Sequence, residues 1–119
     1  VLAGAYEKLG DTVQAEENYQ LSLALDPTDE ECLSNYMELL TKLSLIDALA
    51  YIQEFNTKIG LNQLGPVLEV NVLWLLGRKE EALAKFAVCI ESNRKKALEI
   101  FELNESLSTV QEFVNLSEN

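Results

Sequence analysis

The sequence predicts an all-α fold, a solenoid in which antiparallel helix pairs stack side by side. Three observations predict it. Apolar residues recur at helical spacing nearly throughout, as in Leu33, Tyr36, Met37 and Leu40 or Leu83, Phe86, Ala87 and Ile90, and no stretch sustains the alternation of a strand. Breakers arrive at regular intervals: Gly10-Asp11, Asp26-Pro27, Ser44, Gly60, Gly65-Pro66, Gly77, Asn93 and Asn104. Finally, several positions share one period. Ala15, Ala48 and Ala82 are 33 and 34 residues apart, and the same intervals separate Tyr19, Ile52 and Phe86, and Ser22, Phe55 and Cys89. The turns at Gly10, Ser44 and Gly77 follow at 34 and 33, which marks an internal repeat of helix pairs.

The expected helices run over 1–9, 12–25, 29–42, 45–58, 66–76, 79–92, 94–103 and 109–118. The first carries Leu2, Tyr6 and Leu9 on one flank, and the second carries Ala15 and Tyr19 and stops at Asp26-Pro27. Thr28 with Glu31 forms a capping box for the third, whose outer face is supported by Glu38 and Lys42. The fourth opens after Ser44, pairs Glu54 with Lys58 and ends before Gly60. In 66–76, Val67, Leu68, Val70, Val72, Leu73, Trp74, Leu75 and Leu76 leave almost no polar face, the mark of a helix buried on both sides. Glu81–Lys85 and Glu91–Lys95 extend the charge pairing into 79–92 and 94–103. The last helix has its box at Ser108 and Gln111. Its narrow stripe of Val110, Phe113 and Val114 lies opposite Gln111, Glu112, Asn115 and Glu118, as in a capping helix with a polar outer side.

Packing explains the period. Two antiparallel helices approach closely only where a small residue allows it, so Ala15, Ala48 and Ala82 are expected buried at helix contacts. One turn on, Tyr19, Ile52 and Phe86 fill the space between hairpin and next helix. One pair cannot bury its own apolar face, and stacking solves that.

Composition narrows the function. The chain of 119 residues suffices for one domain and is 48% hydrophobic, too apolar for disorder. No apolar run reaches about 18 residues, the length of a membrane span. Histidine is absent, which removes Ser-His-Asp and Cys-His catalysis and His-ligated metal sites. There is no glycine-rich phosphate loop, nucleophile–base pair or metal-ligand spacing, so we expect no enzyme and no cofactor. Twenty acidic residues against nine basic ones give a net charge of −11, which disfavours nucleic acid and anionic membrane as partners. The acidity concentrates in residues 1–30, with a net charge of −6, and a basic protein partner suits it. Cys32 and Cys89 lie in apolar patterns and read as small core hydrophobes, so they set no compartment, and the cytoplasm is only the default.

The segment Leu2-Ala3-Gly4-Ala5-Tyr6, then Gly10-Asp11, Ala15, Tyr19, Ser22 and Leu25-Asp26-Pro27, closely resembles a tetratricopeptide repeat. In the second unit Leu33, Tyr36-Met37 and Leu40 stand at the pattern positions, with Gly60 in place of the closing Pro; in the third, Gly77, Ala82 and Phe86 fit. The resemblance implies a right-handed superhelix forming one domain over 1–119, with repeats at about 1–27, 28–60 and 61–93 and capping helices over 94–119. The first unit lacks its opening half-turn, so Val1 is expected to lie inside a longer array, with an open N-terminal edge able to support weak homo-oligomers.

The resemblance also implies a binding scaffold, in which the first helix of each pair lines a concave groove for a protein or peptide partner. Candidate groove residues are Glu31, Ser34, Asn35, Glu38, Thr41 and Lys42, opposite the packing residues of 29–42, together with Asn71 and Trp74. Asparagine amides can hold a peptide backbone, and a tryptophan can hold an apolar anchor. A carboxylate clamp of the kind that grips chaperone tails is excluded: Asn35 falls at one of its places, but Gly4, Leu64 and Leu68 occupy others. The alternative role is a structural spacer or self-association module within a larger protein.

Overall fold

A computed structural model describes residues 12–60 and 62–118. Among these residues every regular element is helical and no strand is present. The expected helix 1–9, the Gly10 turn and the open edge at Leu2, Tyr6 and Leu9 lie outside the described residues. The long helices are α1 (Thr12–Leu25), α2 (Glu30–Leu43), α3 (Leu45–Lys58), α4 (Gly65–Leu75) and α5 (Lys79–Ser92). Two short helices, α6 (Arg94–Ala97) and α7 (Ile100–Leu103), a 3-10 turn (Glu105–Thr109) and α8 (Gln111–Glu118) complete the chain.

Each long helix packs on the next in sequence, and α4 also meets α2 and α7 while α8 lies on α5. Ala15, Ala48 and Ala82 are fully buried, and beside them Tyr19, Ile52 and Phe86 are 5%, 0% and 0% exposed. The third column divides: Phe55 and Cys89 are buried, Ser22 is exposed. Burial pushes the Cys89 thiol up, as it does that of the half-buried Cys32, so both stay protonated at neutral pH.

The helix ends show how local chemistry sets the boundaries. The expected Thr28–Glu31 box does not form. The Asp26 carboxylate accepts the Thr28 hydroxyl and amide at 2.6 and 3.1 Å, and Asp29 becomes the N-cap by accepting from the Cys32 amide at 3.0 Å. Ser44 alone joins α2 to α3. Its N–H bonds the Leu40 carbonyl, and its hydroxyl accepts from the Asp47 amide at 3.3 Å. Asn93, in extended backbone, ends α5 and caps α6 by accepting from the Lys96 amide at 3.2 Å. That break removes the helical register on which Glu91–Lys95 depended. Helix 94–103 is two short pieces parted at Leu98–Glu99, where the Glu99 amide bonds the Lys96 carbonyl three residues back. The expected Ser108–Gln111 box is replaced by the 3-10 turn, where the Ser108 hydroxyl donates to the Glu105 carbonyl.

Two of the expected charge pairs form along their helices, Glu38–Lys42 at 3.5 Å and Glu54–Lys58 at 2.7 Å. Glu81 instead meets Arg78 at 2.8 Å, and Lys85 turns inward to Glu69 at 3.6 Å. Glu69 is 7% exposed and also accepts from the Asn56 amide at 3.0 Å, so the one carboxylate on α4 is paired. A Cβ on Gly65 would fall 2.1 Å from Asn56 Oδ1, so glycine there leaves Asn56 free to hold Glu69. Asn62 is buried too. Its amide donates to the Pro27 carbonyl and its oxygen accepts from the Leu64 amide, both at 3.0 Å, joining the α1–α2 turn to the α3–α4 turn.

Aromatic rings form two clusters. Tyr19 stacks on Tyr36 at 5.4 Å, Tyr36 meets the edge of Tyr51 at 4.8 Å, and Gln20 donates to the Tyr36 hydroxyl at 2.8 Å. At the other end Phe113 of α8 sits 4.9 Å from Phe86 and 5.1 Å from Trp74, fastening the C-terminal segment.

Two outcomes follow from this core. Ala82→Leu overpacks a contact with no space and should lower unfolding free energy by about 1–3 kcal/mol; denaturation matching the parent would contradict the assigned register. Burial, with Tyr36 beside it, pushes the Tyr51 hydroxyl up to about 12 from its ordinary 10. Above pH ~10 the unfolded chain therefore holds fewer protons than the folded one, and stability falls as pH rises toward about 12. Urea titrations between about pH 9 and 11 should show this decline, shallower in Tyr51→Phe; equal slopes in both chains would refute the assignment.

Candidate functional site

Helix α4 is apolar nearly all round, and most of its surface is covered by α3 and α5 on one side and α2 and α7 on the other. That cover thins along one strip, at Asn71 and Leu75. Leu68, Asn71, Val72 and Leu75 recur at helical spacing and form one wall of a groove of about 410 Å³. Ser34, Met37, Glu38 and Thr41 of α2 form the facing wall, and Leu103 and Asn104 close one end. The cavity volume is in the range of ligand pockets. Its floor is aliphatic: Met37, Leu68 and Val72 are 2%, 5% and 1% exposed, while Leu75 at the lip is 45% exposed.

Polar groups sit in defined places around that floor. Asn104 donates to Asn71 Oδ1 at 2.9 Å across the closed end. Its own side-chain oxygen accepts the Ser106 amide and hydroxyl at 3.2 and 2.6 Å, which caps the 3-10 turn and fixes the amide's orientation. On α2 the Thr41 hydroxyl donates back to the Glu38 carbonyl at 2.8 Å. Glu38 is the one charged residue in the lining.

Of the sequence-predicted residues, the structure brings Ser34, Glu38, Thr41 and Asn71 together in this groove. Glu31, Asn35 and Lys42 are exposed on α2 outside its lining, Lys42 within 3.5 Å of Glu38. Trp74 is elsewhere: its ring meets Phe113 edge-on and carries the Lys79 ammonium 5.3 Å above it, so it belongs to the C-terminal fastening. The floor residues Met37, Leu68 and Val72 were legible in sequence only as core, because an apolar residue facing a groove and one facing a neighbour give the same helical period. Asn104 showed as a breaker, and only the fold of 100–109 carries it against Asn71.

A second concavity, of about 350 Å³, lies where the α3–α4 turn meets α5 and α6 and is lined by Asn62, Gln63, Lys85, Cys89, Asn93 and Lys96 among others. Lys96 is held there by Glu30 at 2.6 Å and Glu99 at 2.9 Å, and Lys85 by Glu69. Among the described residues no cluster of three or more Cys, Asp or Glu is placed to hold a metal ion, and no helix is long and apolar enough to cross a membrane.

Neither a protein-family model nor a curated protein sequence matches the chain.

Asn104→Ala deletes the bond to Asn71 and both bonds of the turn cap. It should cost about 1–2 kcal/mol, more than Asn71→Ala, which loses one bond. Thermal denaturation of the two variants checks this; a change within about 0.5 kcal/mol for Asn104→Ala would show that the groove's closed end is not held by that amide.

Proposed function

We propose that this chain is a non-catalytic interaction scaffold of tetratricopeptide type, a right-handed superhelix of about three helix pairs and a C-terminal cap, which holds a segment of a partner protein in the groove between α2 and α4. The observation that carries the reading is the groove beside α4. Leu68 and Val72 at its floor and Leu75, exposed at its lip, border a cavity of about 410 Å³ with polar side chains along its rim. A groove with an aliphatic floor and amide groups at one end suits an extended segment, whose side chain enters the floor while its backbone meets the amides. The buried Ala15, Ala48 and Ala82 at intervals of 33 and 34 residues support stacked pairs, in which α2 and α4 are the first helices of successive units. Activity at this site would then be binding alone, without cofactor or metal.

A photoreactive side chain introduced at Thr41, inside the groove, should form adducts with a partner in native lysate several-fold more often than one at Gln53, exposed on α3. Equal labelling at both positions, or labelling at Gln53 alone, would contradict groove docking and support a spacer role.

A further inference from the structure

We infer that the segment taken by the groove is basic: an aliphatic side chain flanked by Lys or Arg, presented by another protein. The inference rests on the groove-docking reading and adds its partner chemistry. It starts from the distribution of charge. Residues 12–41, which form α1 and most of α2, contain seven acids and no base. Glu31 and Glu38 are exposed on α2, and Glu38 is the charged member of the groove lining. The facing wall offers no cation, since α4 contains no Lys or Arg; its one charged residue, Glu69, is engaged by Asn56 and Lys85. At the closed end Glu102 and Glu105, both exposed, bracket Leu103 and Asn104 in sequence. The groove is thus an aliphatic trough with one carboxylate, Glu38, and no cation in its lining.

Glu38 is met by Lys42, one turn along α2. Their contact is 3.5 Å long, and the two side chains are 63% and 65% exposed, so water already competes for it. An incoming Lys or Arg competes for the exposed Glu38 carboxylate, and the floor beside it takes the aliphatic neighbour. An acidic or phosphorylated segment would instead meet Glu38 with the net charge of −11 behind it.

The test uses two short blocked peptides labelled with fluorescein, one with Leu between lysines and one with Leu between glutamates, in polarisation titrations against the whole chain. The Lys peptide should bind about tenfold or more tightly than the Glu peptide at low salt, and the ratio should shrink between about 0.05 and 0.5 M salt. Glu38→Lys should weaken the Lys peptide roughly three- to tenfold, with Glu38→Gln intermediate, and both variants should keep the parent circular dichroism. Equal or tighter binding of the Glu peptide, or no binding of the Lys peptide at millimolar concentration, overturns the inference. A third result reaches further. If the Lys peptide binds but neither a Thr41→Trp plug nor the NMR signals of the Asn71 and Asn104 amides respond, the groove reading itself fails.

Discussion

Helix α4 has no polar face to give to water, and the rest of the structure is arranged around covering it. Of its 11 residues, Gly65, Val67, Leu68, Glu69, Val70, Val72 and Leu73 are buried. A helix of this kind is stable only when its neighbours seal it, because each aliphatic side chain left exposed forfeits about 1.5–3 kcal/mol. The covering elements come from both directions in sequence: α2 and α3 before it, α5 and α7 after it. Phe113 of α8 extends the seal by meeting both Trp74 of α4 and Phe86 of α5. The short C-terminal pieces therefore serve the same centre as the long helices.

Burying α4 raises a difficulty, because it carries a carboxylate. Glu69 sits inside the protein, where an unpaired charge would be costly, and two groups from different helices meet it: Asn56 of α3 at 3.0 Å and Lys85 of α5 at 3.6 Å. The same contacts tie α3, α4 and α5 together at one level. Asn62 does comparable work among the turns, linking the Pro27 carbonyl to the start of α4. These polar ties act on relative position, which the nonspecific apolar core fixes poorly.

The long helices were legible because their signals are local and redundant. The bounds of α1, α3 and α5 follow from the Pro27, Ser44, Gly60, Gly77 and Asn93 breakers, and the small-residue period marks Ala15, Ala48 and Ala82 as helix contacts. Legibility fails where several local options compete. Thr28, Asp29 and Asp26 can all cap, and with the Thr28 hydroxyl held by Asp26 the cap falls to Asp29. Residues 94–109 carry helical composition, yet a tight turn at Leu98–Glu99 and the extended backbone of Asn104 divide it. The groove was half legible. Its polar rim on α2 followed from the face opposite Leu33 and Tyr36, whereas its floor and Asn104 depend on which strip of α4 the C-terminal segment leaves open.

The proposed function sits where the sealing thins. Along α4 the cover is thinnest at Asn71, half-buried, and Leu75, 45% exposed, at the lip of a groove whose floor is the buried Leu68 and Val72, and we propose that a partner completes the cover there. The central claim is therefore that α4 is the most protected element of the free protein. Native-state hydrogen exchange tests it most directly. The account predicts that amides of Val67–Leu73 exchange only through global unfolding, while those of α1 and α8 exchange through smaller local openings. Exchange in α4 as fast as in α8, at denaturant concentrations well below the transition, would contradict it.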